Sequence, residues 1–250
     1  MSAGTRTFYP TLALCQAATA LAQNNTGIIA VDNSQATHRK HGSEGAVYKG
    51  LALVTTADGA TLLYAANFRA GSVEVYDGDF NLVDTGTDKK AAKDGYAPFN
   101  IVPIKQIGGE VDVFITFAVQ DADKHDDVKG AGHGIVDRFD LNGKQKLERF
   151  AEGGVLNSPW GVALAPAGFG DRGGKLWIGN FGDGKINAFE LDGSASKPVN
   201  DATGKPIVID GLWALLFGND GNGGSSQTLY FNAGPNDKKD GLFGALSASP

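Results

Sequence analysis

Asp121, Asp123, His125, Asp126 and Asp127 fall within seven residues, just ahead of Lys129-Gly130-Ala131-Gly132-His133. Carboxylates alternating along a Gly-bounded loop suit a hard cation, and Ca²⁺ in particular accepts six to eight oxygens in irregular geometry. The spacing lacks the Asp-x-Asp-x-Asp-Gly run and terminal Glu of the calcium loop whose ligand code is known, so a solvated acidic loop with Asx turns is the competing reading. His125 and His133 would favour Zn²⁺ or Cu²⁺ if the loop folded back, yet their separation is no zinc signature and a pair of surface histidines is the preferred reading. His38 and His41 flank Arg39-Lys40 and read as an exposed basic loop.

A second group is aromatic and amide-rich: Asn67, Arg69, Phe99, Asn100, His133, Trp160, Asn180, Asp183 and Trp213. An aromatic rim with amides beside it binds sugars and flat ligands. The competing reading is that Tyr48, Phe99, Trp160 and Trp213 fill wedges between packed sheets, where each burial stabilises by a few kcal/mol. Two apparent nucleotide motifs fail on context. Gly179-Asn180-Phe181-Gly182-Asp183-Gly184-Lys185 is followed by Ile186 rather than Ser or Thr, and by a strand pattern rather than a helix. Gly168-Phe169-Gly170-Asp171-Arg172-Gly173 lies between two strand patterns with no helix to supply a dipole. Neither G-x-S-x-G nor H-E-x-x-H occurs.

These residues are positioned by a unit of ~50 residues that recurs four times, each copy running strand, Gly-rich turn, strand, acidic loop, strand. First strands begin at Val47, Ala97, Ser158 and Gly211, and second strands at Leu63, Val113, Leu176 and Leu229. In Lys185-Ile186-Asn187-Ala188-Phe189-Glu190-Leu191 the apolar residues alternate, the period of a pleated strand. Short strands at this repeat length predict an all-β propeller with three- to four-stranded blades. Strands within a blade alternate in direction, so the loop entering the first strand and the loop joining the second to the third share a face. That face collects Asn67-Phe68-Arg69, Tyr96 with Pro98-Phe99-Asn100, residues 118–133, Asn157-Ser158-Pro159-Trp160, Asn180-Phe181-Gly182-Asp183, Trp213 and residues 232–240.

Composition narrows the partners. With 42% hydrophobic residues among 250, the chain can bury a substantial core, and no apolar run approaches the ~20 residues of a membrane-spanning helix. A formal net charge of −6 with scattered Lys and Arg offers no basic stripe for a phosphate backbone, so nucleic acid is excluded as the expected partner. Cys15 is the single cysteine and leaves the redox compartment unspecified. Residues 1–27 do not match the repeat. Arg6, the apolar stretch Thr11 to Gln23 and Ala20-Leu21-Ala22 resemble a weak export signal, with a short helix or lead-in as the alternative. Residues 28–250 are expected to form one propeller domain.

The chain resembles an uncharacterised family of exported bacterial β-propeller proteins, some carrying PEP-CTERM sorting segments, and more distantly the NHL and SMP-30-like propellers. The resemblance rests on Gly45 to Ala52, Leu63 to Gly71, Gly95 to Ile101, Gln120 to Asp127, Asn157 to Asp171 and Ile207 to Trp213. It implies a six-bladed ring with two further N-terminal blades, and it brings no settled activity. It also implies that Thr37 to Gly42 is an insertion. A ring closed by these four repeats would draw Ile28 to Asp32 alongside the 242–246 strand.

Two functions remain in view. One is an exported, non-catalytic propeller that binds a metal, glycan or other small molecule, with self-association where the ring is incomplete. The other is a metal-dependent hydrolase or lyase, similar to lactonases, in which a cation polarises a carbonyl and an Asp or His moves protons.

Overall fold

The structure, a computed structural model, describes residues 27–32, 35–41, 45–56, 59–105, 111–140, 147–194 and 196–248. The segment with export-signal character and the short lead-in that is its alternative both lie outside these residues.

Four antiparallel sheets follow one another along the chain. Blade one comprises β3 (Tyr48–Thr55), β4 (Thr61–Asn67), β5 (Ser72–Tyr76) and β6 (Leu82–Gly86). Blade two comprises β7 (Tyr96–Lys105), β8 (Val111–Val119), β9 (Ile135–Asp140) and β10 (Leu147–Glu152). Blade three comprises β11 (Pro159–Leu164), β12 (Leu176–Asn180), β13 (Ile186–Phe189) and β14 (Ser196–Pro198), and blade four β15 (Leu212–Phe217), β16 (Thr228–Ala233) and β17 (Leu242–Ser247). Each sheet is a simple meander, and β3, β7, β11 and β15 lie side by side as the innermost strands. This is the propeller that the repeat predicts.

The expected ring closure does not occur. β1 (Gly27–Asp32) pairs antiparallel with β2 (Gln35–His41), while β17 pairs with β16. The stretch read as an exposed basic loop and as an insertion, His38 to His41, is thus strand backbone in a separate hairpin. The reason is local: two adjacent extended segments joined by a two-residue connection satisfy each other's backbone groups at far lower loop-closure cost than a strand two hundred residues away.

Apolar clusters alternate with the blades. Ala52, Val54 and Val73 of blade one meet Ile101, Val113 and Ile135 of blade two. Phe114, Val136 and Phe150 then meet Val162, Leu176 and Ile178, and Trp177 and Ala188 meet Leu212, Leu215 and Leu229. Because a blade is covered on both faces, all four residues of β13 are buried, Asn187 included. Near the axis the inner strands approach so closely that side chains must vanish: a Cβ on Gly161 would lie 2.6 Å from the Trp213 carbonyl oxygen, and one on Gly50 2.6 Å from the Asn100 Cα.

An ion cluster ties the blade one to blade two linker to the outer strand. Asp88 caps the short helix α1 (Lys89–Lys93), accepting from the Lys90 and Ala91 amides, and pairs with Arg149 of β10. Arg149 also contacts Asp137 of β9 at 2.7 Å and Glu152 at 2.6 Å.

Candidate functional site on the loop face

The loop face gathers as the strand directions require. Phe68, Phe99 and Phe181 are buried together with Val47, Ala97 and Ala118, and Trp160 and Trp213 pack over them half-buried. Ring contacts run across the face from blade to blade: Phe68 to Phe99 at 5.5 Å, Phe99 edge-on to Trp160 at 4.7 Å, Phe99 to Phe181 at 6.2 Å, and Phe181 stacked with Trp213 at 6.4 Å. These aromatics form a plug rather than an open rim, each contact adding about 1 kcal/mol beyond area burial. Tyr48, set beside them by sequence register, belongs elsewhere. A register shift between Tyr48 and Leu51 accompanies its turn toward buried Glu74, whose carboxylate accepts from the Tyr48 and Tyr76 hydroxyls and the Asn67 amide. Burial and that carboxylate push both phenols upward, Tyr76 to about 12.

The amides act as staples. Asn180 is fully buried; its Nδ2 donates to the Val155 carbonyl at 2.8 Å and to Asp183, while its Oδ1 accepts the Asn157 amide. Asn67 accepts the Ala70 amide, and Asn100 donates across the blade boundary to the Trp160 carbonyl at 2.9 Å. These amides are engaged with backbone groups and, for Asn67 and Asn180, with the Glu74 and Asp183 carboxylates. Asp183 caps the Lys185 amide and pairs with the Lys185 ammonium at 3.0 Å, and Arg69 is exposed.

The acidic loop disperses its ligands. Asp121 Oδ1 accepts the His125 amide at 2.7 Å, closing an Asx-type turn, and Asp123 points to solvent. His125 Nδ1 lies 3.2 Å from Asp126, whereas His133 bonds the Val128 carbonyl, so the two imidazoles do not pair. Asp126 is held by the Lys49 ammonium at 2.9 Å and Lys238 at 3.3 Å. Burial alone would raise its carboxyl; Lys49, Lys238 and His125 outweigh burial and hold it well below the usual carboxylate range. Among the described residues no three His, Cys, Asp or Glu side chains are grouped to hold a metal ion.

One cleft of about 280 Å³ opens here, lined by Asp126, Asp127, Lys129, Phe181, Asp210, Gly211, Gly234, Asp237 and Lys238. Lys129 and Lys238 reach over the Phe181 ring, 4.5 and 5.4 Å from its centroid. Asp127 Oδ2 is buried without a hydrogen-bond partner. The wall from blade four is strained: Asn236, Asp237 and Lys238 adopt left-handed φ of 56°, 54° and 66° in succession. Consecutive left-handed non-glycine residues cost on the order of 1–3 kcal/mol each, and such strain concentrates at binding sites. Of this lining, sequence reasoning singled out Asp126 and Asp127 and placed residues 232–240 on the correct face. It missed Lys129, Phe181, Asp210 and Lys238 as a group, because only the packing of blades two, three and four brings them together.

No family model matches the chain. It is 35% identical over 211 residues to an uncharacterised protein of Acanthamoeba polyphaga mimivirus, covering 81% of this chain and 52% of that protein. A second uncharacterised protein of the same virus is 32% identical over 221 residues, covering 86% and 50%. The chain thus spans about half the length of these curated relatives. Among solved structures it resembles an α-L-arabinofuranosidase from Fusarium graminearum in complex with an iminosugar inhibitor, with TM-score 0.56, 13% identity, and coverage of 90% of this chain and 69% of that one. A putative gluconolactonase gives TM-score 0.54 at 15% identity over 92% and 72%. A chain of the nidogen–laminin complex gives 0.54 at 14% over 88% and 66%. At these identities the likeness is one of fold, the β-propeller.

Proposed function

We propose that the protein is a non-catalytic ligand-binding propeller that takes a small, hydroxyl-rich molecule, a glycan fragment or similar polyol, in the loop-face cleft. The observation that carries this reading is the lining itself, in which four aspartates share the cleft with two lysines that reach over one aromatic ring. Carboxylates accept from hydroxyls, ammonium groups donate to them, and a few polar groups at fixed positions are what orients a ligand in such a site. Asp126 favours binding over proton transfer, since a carboxylate held firmly ionised by two lysines is a poor general acid and a weak base at neutral pH. The sugar-like inhibitor held by a propeller of the same fold supports the ligand class. Export belongs to the same proposal, resting on Arg6, the 11–23 stretch and the resemblance to exported propellers.

The test is calorimetric titration with mono- and oligosaccharides and sugar alcohols. Binding is expected, and Lys129→Met with Asp237→Asn should weaken it at least about tenfold, the loss of roughly one charge-assisted hydrogen bond, without moving Tm. Failure of every polyol to bind, or binding indifferent to both substitutions, would overturn the reading.

A metal-dependent hydrolase or lyase is the second reading. It rests on the enzymes among propellers of this fold, with Asp126, Asp127, Asp210 and Asp237 spread around the cleft wall. Ca²⁺, Mn²⁺ or Zn²⁺ would then raise Tm over an EDTA-treated sample, since a ligand of the native state stabilises it. No shift with any of the three removes this reading.

A further inference from the structure

Two ammonium groups meet over one buried ring at the cleft. Phe181 is 4% exposed, with Trp213 stacked along it at an interplanar angle of 9° and the Lys129 and Lys238 nitrogens 4.5 and 5.4 Å from its centroid. Like charges that converge on one ring repel each other, and a counter-charge beside each would relieve them. Here the nearest counter-charge is already taken. Asp126 Oδ1 accepts from Lys238 at 3.3 Å, but it also accepts from Lys49 at 2.9 Å. Lys49 is outside the cleft lining, and its side chain, 11% exposed, is held over the Phe68 ring at 5.7 Å, so it matches the Asp126 charge and leaves Lys238 in surplus. Lys129 makes no ion pair among the described residues. The remaining aspartates stand apart from both ammonium groups: Asp210 Oδ2 accepts the Asn236 amide at 3.1 Å, Asp127 Oδ2 is buried, and Asp237 is exposed. The cleft is therefore bipolar, with an acidic wall and a separate excess of positive charge over Phe181.

We infer that the molecule bound here is acidic: the polyol of the preceding reading, on which this inference rests, carries an oxyanion seated between Lys129 and Lys238. The oxyanion accepts from both ammonium groups, in charge-assisted hydrogen bonds roughly twice as strong as neutral ones. Hydroxyls at the other end of the molecule donate to Asp210 and Asp237. A neutral polyol satisfies the acidic wall and leaves the positive excess unrelieved, and a cationic one is repelled at the ring. The ring contacts hold the two nitrogens in place before the ligand arrives, which lowers the ordering cost of binding. A volume of about 280 Å³ is at the small end of ligand pockets and suits one small ring bearing one such group. Lysine acts as a point charge rather than a planar fork, so carboxylate, sulfate and phosphate share the chemistry that this pair recognises.

Calorimetric titration of the whole chain should compare glucose with glucuronate, glucose 6-sulfate and glucose 6-phosphate, while thermal melts follow inorganic sulfate and phosphate at low millimolar concentration against chloride of equal ionic strength. At about 0.01 M salt at least one acidic sugar should bind roughly tenfold more tightly than glucose, and the rank of the three identifies the oxyanion. The preference should shrink at about 0.15 M salt, as the Debye length falls from roughly 30 to 8 Å. Lys129→Met should abolish it and Lys129→Arg should keep it, with the Tm of both free variants unchanged. Glucose bound as tightly as every acid would overturn the inference and leave the polyol reading standing. Stabilisation by inorganic sulfate or phosphate that Lys129→Met removes, with no sugar bound, would uphold the anion site and remove the polyol. No response to any acid or inorganic anion, or a preference that survives in Lys129→Met, would each overturn the inference.

Discussion

Asp137 sits 1% exposed beside both Arg149 and Asp88, and its environment sets the pH response of the fold. Burial, with the neighbouring Asp88 carboxylate, pushes its carboxyl up to about 7, against which Arg149 pulls downward. Between its ordinary value of 3.8 and about 7, the folded chain therefore keeps a proton that the unfolded chain has released, so this group makes stability fall as pH rises through that window. Asp88 and Asp126 act in the opposite sense: their lowered values give stability that is lost as pH drops through the ordinary carboxylate range and below. Urea melts of wild type and Asp137→Asn from pH 4 to 8 should show the downward slope in the first and its loss in the second. Arg149→Met removes the cation shared by Asp88, Asp137 and Glu152 and should cost about 3 kcal/mol in the same assay. Asn180→Leu should cost about 1–3 kcal/mol, since the Val155 carbonyl and Asn157 amide lose their buried partner. A loss below about 0.5 kcal/mol would mean that water replaces the staple.

The innermost strands bear the tightest constraint at the level of elements. β11 and β15 pass so near each other that Gly161→Ala would drive a methyl against the Trp213 carbonyl, and equilibrium unfolding should register a loss of about 1–3 kcal/mol. A neutral result would show that the two blades can part at the axis. The strands themselves were legible in the sequence because apolar alternation and glycine punctuation are local signals, and the second strands of all four repeats were placed within a residue or two. The β1–β2 hairpin was not, since Gln35 to His41 carries polar and basic residues that say loop when read alone and become strand only by pairing with Gly27 to Asp32.

Across the whole molecule, stability is graded along the array, because each blade draws its burial from its neighbours. Blades two and three are covered on both faces, whereas blade four leaves Leu216 and Phe243 to solvent. Amide exchange in dilute solution should therefore be fastest in β17 and slowest in β8 and β12; equal protection of all four sheets would contradict a nearest-neighbour fold. The sequence alone determined the repeat, the propeller, and the sorting of loops onto two faces, since all three follow from periodicities carried within each ~50-residue unit. Tertiary structure decided what those faces do with their residues. Asn67, Asn100 and Asn180 look like ligand groups in sequence and become structural staples, because buried amides take the nearest unsatisfied partner within the protein. Lys49, Lys129 and Lys238 are scattered single charges in sequence and become one cluster around Asp126 and Phe181, because blades far apart along the chain converge at the axis.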